Sequence, residues 1–465
     1  MLPKRLTVHP VAICNQTGKG IRVSGHRSAS ARRRKGAARA EAPGGLPARV
    51  VWLIAFACGS AVANVYFAQP LLVTMGEELA LGSGLLGVIV TVTQVGYGLG
   101  LFLLVPLGDL VGRRRLIGLQ LALLAAALLG VAAAPGAAVL LAALAVVGLL
   151  AVVAQTMVAA AAALAAPERR GRVVGTVTSG VVIGILLARS AAGALADLAG
   201  WRAVYLCSAL VTAALALALH RALPAEAART RGMPYGKLLA STWTLFAAHR
   251  LLRVRGALAL LVFAAFSTLW SSVVQPLSGP PWSLSHTAIG AFGLVGAAGA
   301  VAAGLAGRWN DRGLAQRTTA LGLGTLALSW LPLALTGRSL WALAVGAVLL
   351  DFAVQAVHVT NQTLIHAVAP EAGSRIIGGY MVCYSAGSAL GALGSSLLYA
   401  AAGWAGVCVL GAAFSCAALL LWAADRTASV PPGTAARTAQ RAAASASTAW
   451  SRARHSAAKA GQVCR

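Results

Sequence analysis

Four polar side chains interrupt an apolar stretch in the second half of the chain, and their spacing suits proton transfer. Asp351 is followed by Gln355, His358 and Gln362, at intervals that place all four on one face of a helix. A carboxyl group buried from water can hold a proton, and an imidazole titrates near neutral pH. We therefore predict that Asp351 binds a coupling proton or a cationic substrate and that His358 assists it. The alternative is structural, with Asp351 a neutral or paired group that joins helices.

One arginine, Arg189, also lies inside an apolar stretch. Its guanidinium group keeps its charge in a protein, so it needs a counter-ion, a water-filled cavity or an anionic ligand. An unpaired Arg189 favours an anionic substrate. An Arg189 paired with Asp351 or Asp197 is instead a lock between parts of the molecule.

The elements that must position these groups are long hydrophobic segments. Of the 465 residues, 58% are hydrophobic and 11% charged, which excludes an ordinary soluble domain with about 25% charged residues. The mean hydropathy of +0.78 agrees. We predict an all-α membrane protein whose twelve transmembrane helices form two six-helix bundles, because each apolar run approaches the roughly 20 residues that cross a bilayer. The predicted spans are 50–73, 84–107, 116–134, 137–165, 173–197, 203–220, 256–277, 287–306, 318–336, 339–366, 376–400 and 405–424.

The basic residues predict the orientation of the chain. There are 38 Lys and Arg against 11 Asp and Glu, a net charge of +27. Nearly all of these cations fall in the two tails and in the loops on the same side, whereas the opposite side has only Arg202 and Arg338. This segregation is typical of cytoplasmic segments, so we predict a multi-pass protein of the cell (plasma) membrane with both termini cytoplasmic. The tails lack interleaved aromatic residues, and we expect no nucleic-acid binding.

The same pattern divides the chain into five parts. We predict disordered basic cytoplasmic tails at 1–49 and 425–465, an N-terminal bundle at 50–220, a cytoplasmic linker at 221–255 and a C-terminal bundle at 256–424. A wrongly assigned start codon is an alternative explanation of the first tail.

Chemical motifs of enzymes are missing from the sequence. The seven cysteines are scattered without a CxxC pair, and neither a phosphate-binding loop nor a paired-carboxylate motif occurs. We expect no enzyme activity, no cofactor and no metal, and we expect an ion gradient rather than ATP as the energy source.

The two predicted bundles look like copies of each other. A shift of 203 residues brings Gly200-Trp201 onto Gly403-Trp404, and a shift of 206 brings Gln69-Pro70-Leu71 onto Gln275-Pro276-Leu277. Such internal repeats are common in secondary transporters, whose substrate sites lie near the bilayer midplane between the repeats.

After the second span the sequence reads Gly108-Asp109-Leu110-Val111-Gly112-Arg113-Arg114-Arg115. This loop resembles a signature of the major facilitator superfamily, G-x-x-x-D-R-x-G-R-R. Asp109, Gly112, Arg113 and Arg114 match it, while Val105 and Leu110 replace the first glycine and the first arginine. A weaker copy after the eighth span contains Asp311 and Arg312. The resemblance implies a gate in which a carboxylate pairs with cations or a helix N-terminus and holds the cytoplasmic face shut. The alternative role of the arginines is to anchor lipid headgroups.

A narrower resemblance is to bacterial drug-efflux-like members of that superfamily. It rests on Asn64-Val65-Tyr66, Gln69-Pro70-Leu71 and the stretch at 167–175. The fifth span of such antiporters usually carries a Gly-Pro pair, and Ala188-Arg189 stands there instead.

The remaining polar and aromatic residues of the spans predict a substrate cavity between the bundles. Rings beside amides suit an amphipathic organic ligand, although such residues also join helices to one another. With Arg189, Gln355 and Gln362, the candidates are Asn64, Gln69, Gln94, Tyr97, Gln155, Trp270, Gln275, Tyr380 and Tyr384.

These features together predict a secondary active transporter. The resemblance favours proton-coupled export of a small organic or drug-like molecule by alternating access, carried out by a monomer in the lipid bilayer. Uptake of an anionic metabolite, suggested by Arg189, is one alternative. A membrane sensor that signals through its basic tails without transport is another.

Overall fold

The computed structural model describes residues 46–166, 169–224, 234–368 and 373–429. Within these ranges all regular secondary structure is helical. Most of the two predicted tails and the middle of the predicted linker, residues 225–233, lie outside the described residues, as do Pro167 and Glu168 of the narrower resemblance.

Among the helical segments of the described ranges, twelve correspond one by one to the predicted spans, each overlapping one span. Nine helices of the described ranges are long and apolar enough to cross a membrane, and the longest of these contains two segments that meet at Gly403. In chain order the segments are α1 Ala48–Ala63, α2 Leu86–Leu103, α3 Arg113–Ala132, α4 Ala137–Leu164, α5 Arg170–Ala199, α6 Trp201–Ala222, α7 Arg250–Ser278, α8 His286–Asp311, α9 Ala315–Leu328, α10 Leu340–His366, α11 (373–402) and α12 (404–429).

The predicted internal repeat corresponds to repeated packing. Helix α1 packs against α5, α2 against α4 and α3 against α6. The second bundle repeats this with α7 and α11, α8 and α10, and α9 and α12. The turn between α5 and α6 also matches the turn between α11 and α12, since Gly200 and Gly403 both have positive φ angles, of 79° and 62°. Glycine adopts this conformation without steric cost, which lets α5 and α11 end where α6 and α12 begin.

The two bundles meet along matched helix pairs, α5 with α8 and α2 with α11. Small residues make this approach possible: the Thr91 hydroxyl donates to the Ala389 carbonyl at 3.2 Å, and the Ser190 hydroxyl donates to the Gly290 carbonyl at 2.9 Å. Such contacts are the usual means by which helices associate where lipid offers no hydrophobic driving force. At these two helix pairs the bundles therefore approach each other closely enough for side chains to bond to the backbone of the facing helix.

Helices α1 and α5 touch at glycines, and one substitution tests this contact. A Cβ atom at Gly184 would lie 2.3 Å from the Gly59 carbonyl oxygen, so we expect Gly184→Ala to destabilise the protein by about 1–3 kcal/mol through overpacking. Gly175→Ala on the same helix is the matched control, because no neighbouring atom lies within 4 Å of its added Cβ. Thermal unfolding in detergent checks this; equal melting of the two variants would contradict it.

The linker contains a helix that the sequence analysis did not predict. Tyr235–Ala248, the linker helix, packs on α7 and α11 and also reaches the first bundle. The Tyr235 hydroxyl donates to the Leu103 carbonyl at 2.6 Å, and the rings of Trp243 and Phe102 lie 6.0 Å apart. We call the membrane side that carries this helix the linker side and the opposite one the far side.

Glu78, at the far side beyond α1, receives hydrogen bonds from the Trp201 indole and the Arg202 guanidinium group. These donors lower the pKa of Glu78 from its ordinary value of 4.5. The folded protein then releases this proton more readily than the unfolded chain, so the stabilisation is present above that value and is lost as the pH falls through the lowered pKa.

We therefore expect Glu78→Gln to melt below the wild type at neutral pH, and the difference to shrink as the buffer becomes acidic. The gain is small because the ion pair is exposed to solvent. Glu77→Gln, at the neighbouring exposed position, is the control. A difference in melting temperature that stays the same at every pH would contradict the assignment.

Candidate functional site

A break in α1 presents Tyr66 and the predicted cavity residue Gln69 to the centre of the molecule. The Asn64 amide nitrogen donates to the carbonyls of Ser60 and Ala61, at 2.9 and 3.2 Å, and Pro70 lacks an amide hydrogen. The regular helix therefore ends at Ala63, and a tight turn carries Tyr66 and Gln69. Asn64 itself accepts a hydrogen bond from Ser208 of α6 at 2.6 Å, so the structure places it in packing within the first bundle.

Arg189 is buried at this point, with only 4% of its surface exposed. Its Nε donates to the Gln69 side-chain oxygen at 2.6 Å, and its guanidinium carbon lies 4.3 Å from the centre of the Trp270 ring and 5.1 Å from that of Tyr66. A desolvated cation over an aromatic ring gains about 2 kcal/mol. Its Nη2 has no hydrogen-bond partner among the described residues.

Asp351 lies near Arg189 in the second bundle and is 3% exposed. Its Oδ1 accepts a hydrogen bond of 3.0 Å from the indole nitrogen of Trp270. The charges of Asp351 and Arg189 are near enough to interact, yet no ion pair within 4.0 Å joins them in the described ranges. Trp270 therefore links the two charges, with its ring face against one and its N–H on the other.

His358 faces a different set of residues from Asp351. Its Nδ1 lies 2.9 Å from the Tyr380 hydroxyl of α11, and its ring packs 5.1 Å from that of Phe263. Asp351 is thus hydrogen-bonded to α7 and His358 to α11. Gln355 lies against Gly299 of α8, and Gln362 lies four residues from the end of α10. The four-residue face predicted from the sequence exists, but its members contact different helices.

A pair of tyrosines joins the bundles beside Arg189. The hydroxyls of Tyr66 and Tyr384 lie 2.9 Å apart, and the Tyr384 ring centre is 4.0 Å from that of Phe263. Of the predicted cavity residues, Gln69 and Trp270 contact Arg189 directly, and Tyr384 is joined to it through Tyr66. Tyr380 lies behind them with His358.

The predicted amide residues of the first bundle lie elsewhere in its interior. Gln94 is buried with an unpartnered Oε1, and Tyr97 lies beside Gln155. The sequence analysis missed Gln120 of α3, whose two amide atoms are buried and lack partners in the described ranges. A lone amide inside a span was the available signal for it.

Gln275 belongs to a separate cavity of about 570 Å³ on the far side. This cavity lies between the two bundles and is also lined by Thr74, His286 and Tyr399. Gln275 is thus displaced from the Arg189 region toward the far-side surface.

The far side is closed by a polar contact that the sequence analysis missed. Asp197 of α5 accepts hydrogen bonds from the backbone N–H of Thr287 at 2.8 Å and from that of His286 at 3.2 Å, at the start of α8. The His286 ring lies 2.6 Å from Asp197 and 2.6 Å from the Thr74 hydroxyl. A carboxylate at a helix N-terminus is favourable, and here it spans the two bundles. Asp197 therefore forms a lock with His286, and the predicted alternative pairing with Arg189 is wrong.

Helices α5 and α8 approach each other closely only in their far-side halves. A Cβ atom at Gly193 would lie 2.2 Å from the His286 carbonyl oxygen. Toward the linker side, Gly175 of α5 and Gly304 of α8 have no neighbouring atom within 4 Å of an added Cβ. The structure is thus closed at the far side of this helix pair.

The predicted gate residues lie at the linker side. Gly112 precedes α3, and Arg113 and Arg114 are in its first turn. Asp109 ends a short turn, Pro106–Asp109, and its side chain is not among those described. Asp311 and Arg312 are exposed at the end of α8. The linker helix contacts the turn that holds Asp109.

The assignment of Arg255 to the linker is wrong, because α7 already begins at Arg250. Arg255 is 1% exposed, and its Nη1 donates to Asn361 at 3.1 Å and to Thr319 at 3.2 Å. Sequence reasoning counted it with the loop cations because it directly follows the basic residues Arg250 and Arg253.

Comparison with known proteins agrees with this architecture. The chain is 45% identical over 376 residues to the Escherichia coli O157:H7 protein named uncharacterized transporter YgaY, covering 81% of this chain and 95% of that one. It is 36% identical over 377 residues to a protein of Streptomyces coelicolor named as a transporter, covering 80% and 86% of the two chains.

Among solved structures, a bacterial homolog of the human lysosomal transporter Spinster superposes with a TM-score of 0.62 at 15% identity, covering 81% of this chain and 94% of that one. The sequence profile of the Major Facilitator Superfamily matches residues 51–304 and 279–459. The chain therefore belongs to the major facilitator superfamily of membrane transporters.

Proposed function

We propose that this transporter is proton-coupled and moves a small organic molecule by alternating access, with Asp351 as the group that carries the proton. The observation that supports this is the burial of the Asp351 carboxylate between the bundles with one hydrogen bond, from Trp270. A charge inside a membrane protein is costly, so gaining a proton changes the energy of this site strongly. Protonation also changes how firmly Asp351 interacts with the nearby charge of Arg189.

We also propose that the linker side is cytoplasmic and that the protein acts as a monomer in the cell membrane. The segregation of basic residues to the linker side supports the orientation. In this orientation the Asp197–His286 contact is the outer gate, and the turn with Asp109 and the linker helix are at the inner gate. Both bundles and the central residues belong to one chain, which supports the monomer.

Export is our first proposal for direction, on the sequence resemblance to drug-efflux-like members. Exchange of a proton for a substrate requires the two to compete, and a substrate that contacts Asp351 would compete with a proton there. The second candidate is uptake of an anionic metabolite. The unpartnered Nη2 of Arg189 favours it, because a buried cation with a free donor suits an anion.

A susceptibility panel in an efflux-deficient host, with and without a proton uncoupler, tests the proposal of export. We expect expression of the protein to raise resistance to at least one organic compound, and the uncoupler to abolish the rise. A panel without any uncoupler-sensitive change would contradict export. Deleting the terminal tails separates a transporter, which keeps its flux, from a sensor, which loses its function.

A further inference from the structure

One nitrogen of the Arg189 guanidinium group, Nη2, has no hydrogen-bond acceptor among the described residues. Arginine carries five N–H donors in a rigid fork, and buried donors are nearly always satisfied. Gln69 takes the Nε hydrogen, and aromatic rings cover the faces of the group. Nη2 is buried without any hydrogen-bond partner in the described part of the chain. An unmet charged donor in this position indicates a missing acceptor.

The acidic residues near Arg189 do not supply that acceptor. Asp197, two turns further along α5, already binds His286 and the backbone of Thr287. Asp351 accepts from Trp270 and stays beyond the 4.0 Å of an ion pair in the described ranges. The acceptor must therefore come from outside the described chain.

The surroundings of Arg189 indicate what kind of molecule would bring the acceptor. Three aromatic rings lie around its guanidinium carbon, with centres at 4.3 Å for Trp270, 5.1 Å for Tyr66 and 5.9 Å for Phe266. Aromatic walls favour a flat apolar body, and arginine favours a carboxylate, which it binds with two parallel N–H donors. An inorganic anion would gain nothing from these aromatic neighbours.

We propose that Arg189 binds the carboxylate of an aromatic organic acid and that Trp270 couples this binding to protonation of Asp351. The inference rests on the proposed function for the proton site, and it adds the substrate class. When Asp351 gains a proton, its negative charge no longer competes for Arg189, and a bound carboxylate in turn disfavours a charged Asp351. Binding of the anion and of the proton is therefore mutually favourable, as linkage requires.

This coupling has a consequence for direction. Ligands that favour each other's binding are carried together, whereas exchange requires them to exclude each other. For an aromatic acid the site thus favours the second candidate direction, uptake together with a proton. Export remains the proposal for a substrate that competes with the proton at Asp351.

Binding of 1-naphthoate to the purified full-length protein tests the inference, with the neutral 1-naphthamide as its matched ligand. We expect naphthoate to raise the unfolding temperature, more strongly in mildly acidic than in mildly alkaline buffer, and naphthamide to have no such effect. Arg189→Gln should weaken naphthoate binding about tenfold or more, since it removes a charge-assisted hydrogen bond. Arg338→Gln, which removes an exposed far-side arginine, should bind like the wild type.

Two further variants keep the test decisive. Arg189→Lys keeps the positive charge and replaces Arg189→Gln in the test if that variant fails to fold. We expect it to keep part of the naphthoate response. Asp351→Asn should retain naphthoate binding and lose its dependence on pH. Equal effects of naphthoate and naphthamide, no effect of either, or an unchanged response in Arg189→Gln would each overturn the inference. Proton-driven transport is measured separately, so naphthoate binding through Arg189 can hold even if the proposed function fails.

Discussion

Asp351→Asn is expected to abolish proton-coupled transport. An amide has nearly the shape of the carboxylate and can still accept the Trp270 hydrogen bond, but it cannot take up or release a proton. The variant should therefore fold and reach the membrane, while transport driven by a pH gradient falls by about tenfold or more, equivalent to at least about 1.4 kcal/mol. Counterflow, which exchanges substrate for substrate without net proton movement, should persist.

Glu78→Gln is the control for this variant. It makes the same chemical change at an exposed carboxylate on the far side, and proton-driven transport should remain at the wild-type level. Asp351→Asn that keeps full transport with full pH dependence would show that Asp351 has only a structural role.

Gly193→Val is expected to stop the transport cycle by a different route. The added side chain would begin 2.2 Å from the His286 carbonyl oxygen, in the interface of α5 and α8 that closes the far side. A backbone oxygen cannot move away without displacing the start of α8. We therefore expect the far side to remain open and transport to be lost, with little change in the folding of either bundle.

The distance between spin labels on the two bundles measures this opening. Leu198 and Trp341 are suitable label sites, since they are 84% and 83% exposed near the far-side ends of α5 and α10. All cysteines other than the buried Cys58 and Cys408 are replaced by serine beforehand, namely Cys14, Cys207, Cys383, Cys416 and Cys464. The distance should lengthen in Gly193→Val and stay the same in Gly82→Ala, where an added Cβ meets no neighbour. An unchanged distance in Gly193→Val would contradict the outer-gate assignment.

The length of the hydrophobic runs predicts the helices of this protein well. In lipid a backbone must satisfy its own N–H and C=O groups, and a helix does this within one segment. Each of the twelve predicted spans overlaps a helical segment, and nine helices of the described ranges are long and apolar enough to cross a membrane. The Gly-Trp repeat marks equivalent turns in the two bundles. The family was also recognisable from the residues after the second span, and the sequence profile confirms it. The linker helix escaped prediction, since a short amphipathic helix has no such constraint.

The central site was only partly predictable. Arg189 and Asp351 stand out in the sequence because charges within apolar runs are rare, whereas their common contact with Trp270 depends on how α5, α7 and α10 pack. The same limit explains the lock at the far side. His286 is the first residue of α8. Nothing in its local sequence shows that it contacts Asp197 and Thr74 of the other bundle.

Arg255 shows how position along the chain can mislead. It follows Arg250 and Arg253, which suggested a cytoplasmic basic loop. Residues two apart on a helix face nearly opposite sides, however, and Arg253 is exposed while Arg255 is buried. The structure buries Arg255 against Asn361 and Thr319, while Arg250 pairs with Asp425 at 3.0 Å and remains half-exposed.

The internal pH of proteoliposomes tests the role of Asp351 most directly. Vesicles that contain the wild type or Asp351→Asn and an enclosed pH-sensitive dye receive compounds from the susceptibility panel and a series of aromatic carboxylates, with protein-free vesicles as the baseline. We expect at least one compound to change the internal pH only in wild-type vesicles, toward acid if proton and substrate enter together and toward alkali if they exchange. A compound that the wild type carries without any pH change, or with the same change in Asp351→Asn, would contradict proton coupling through Asp351.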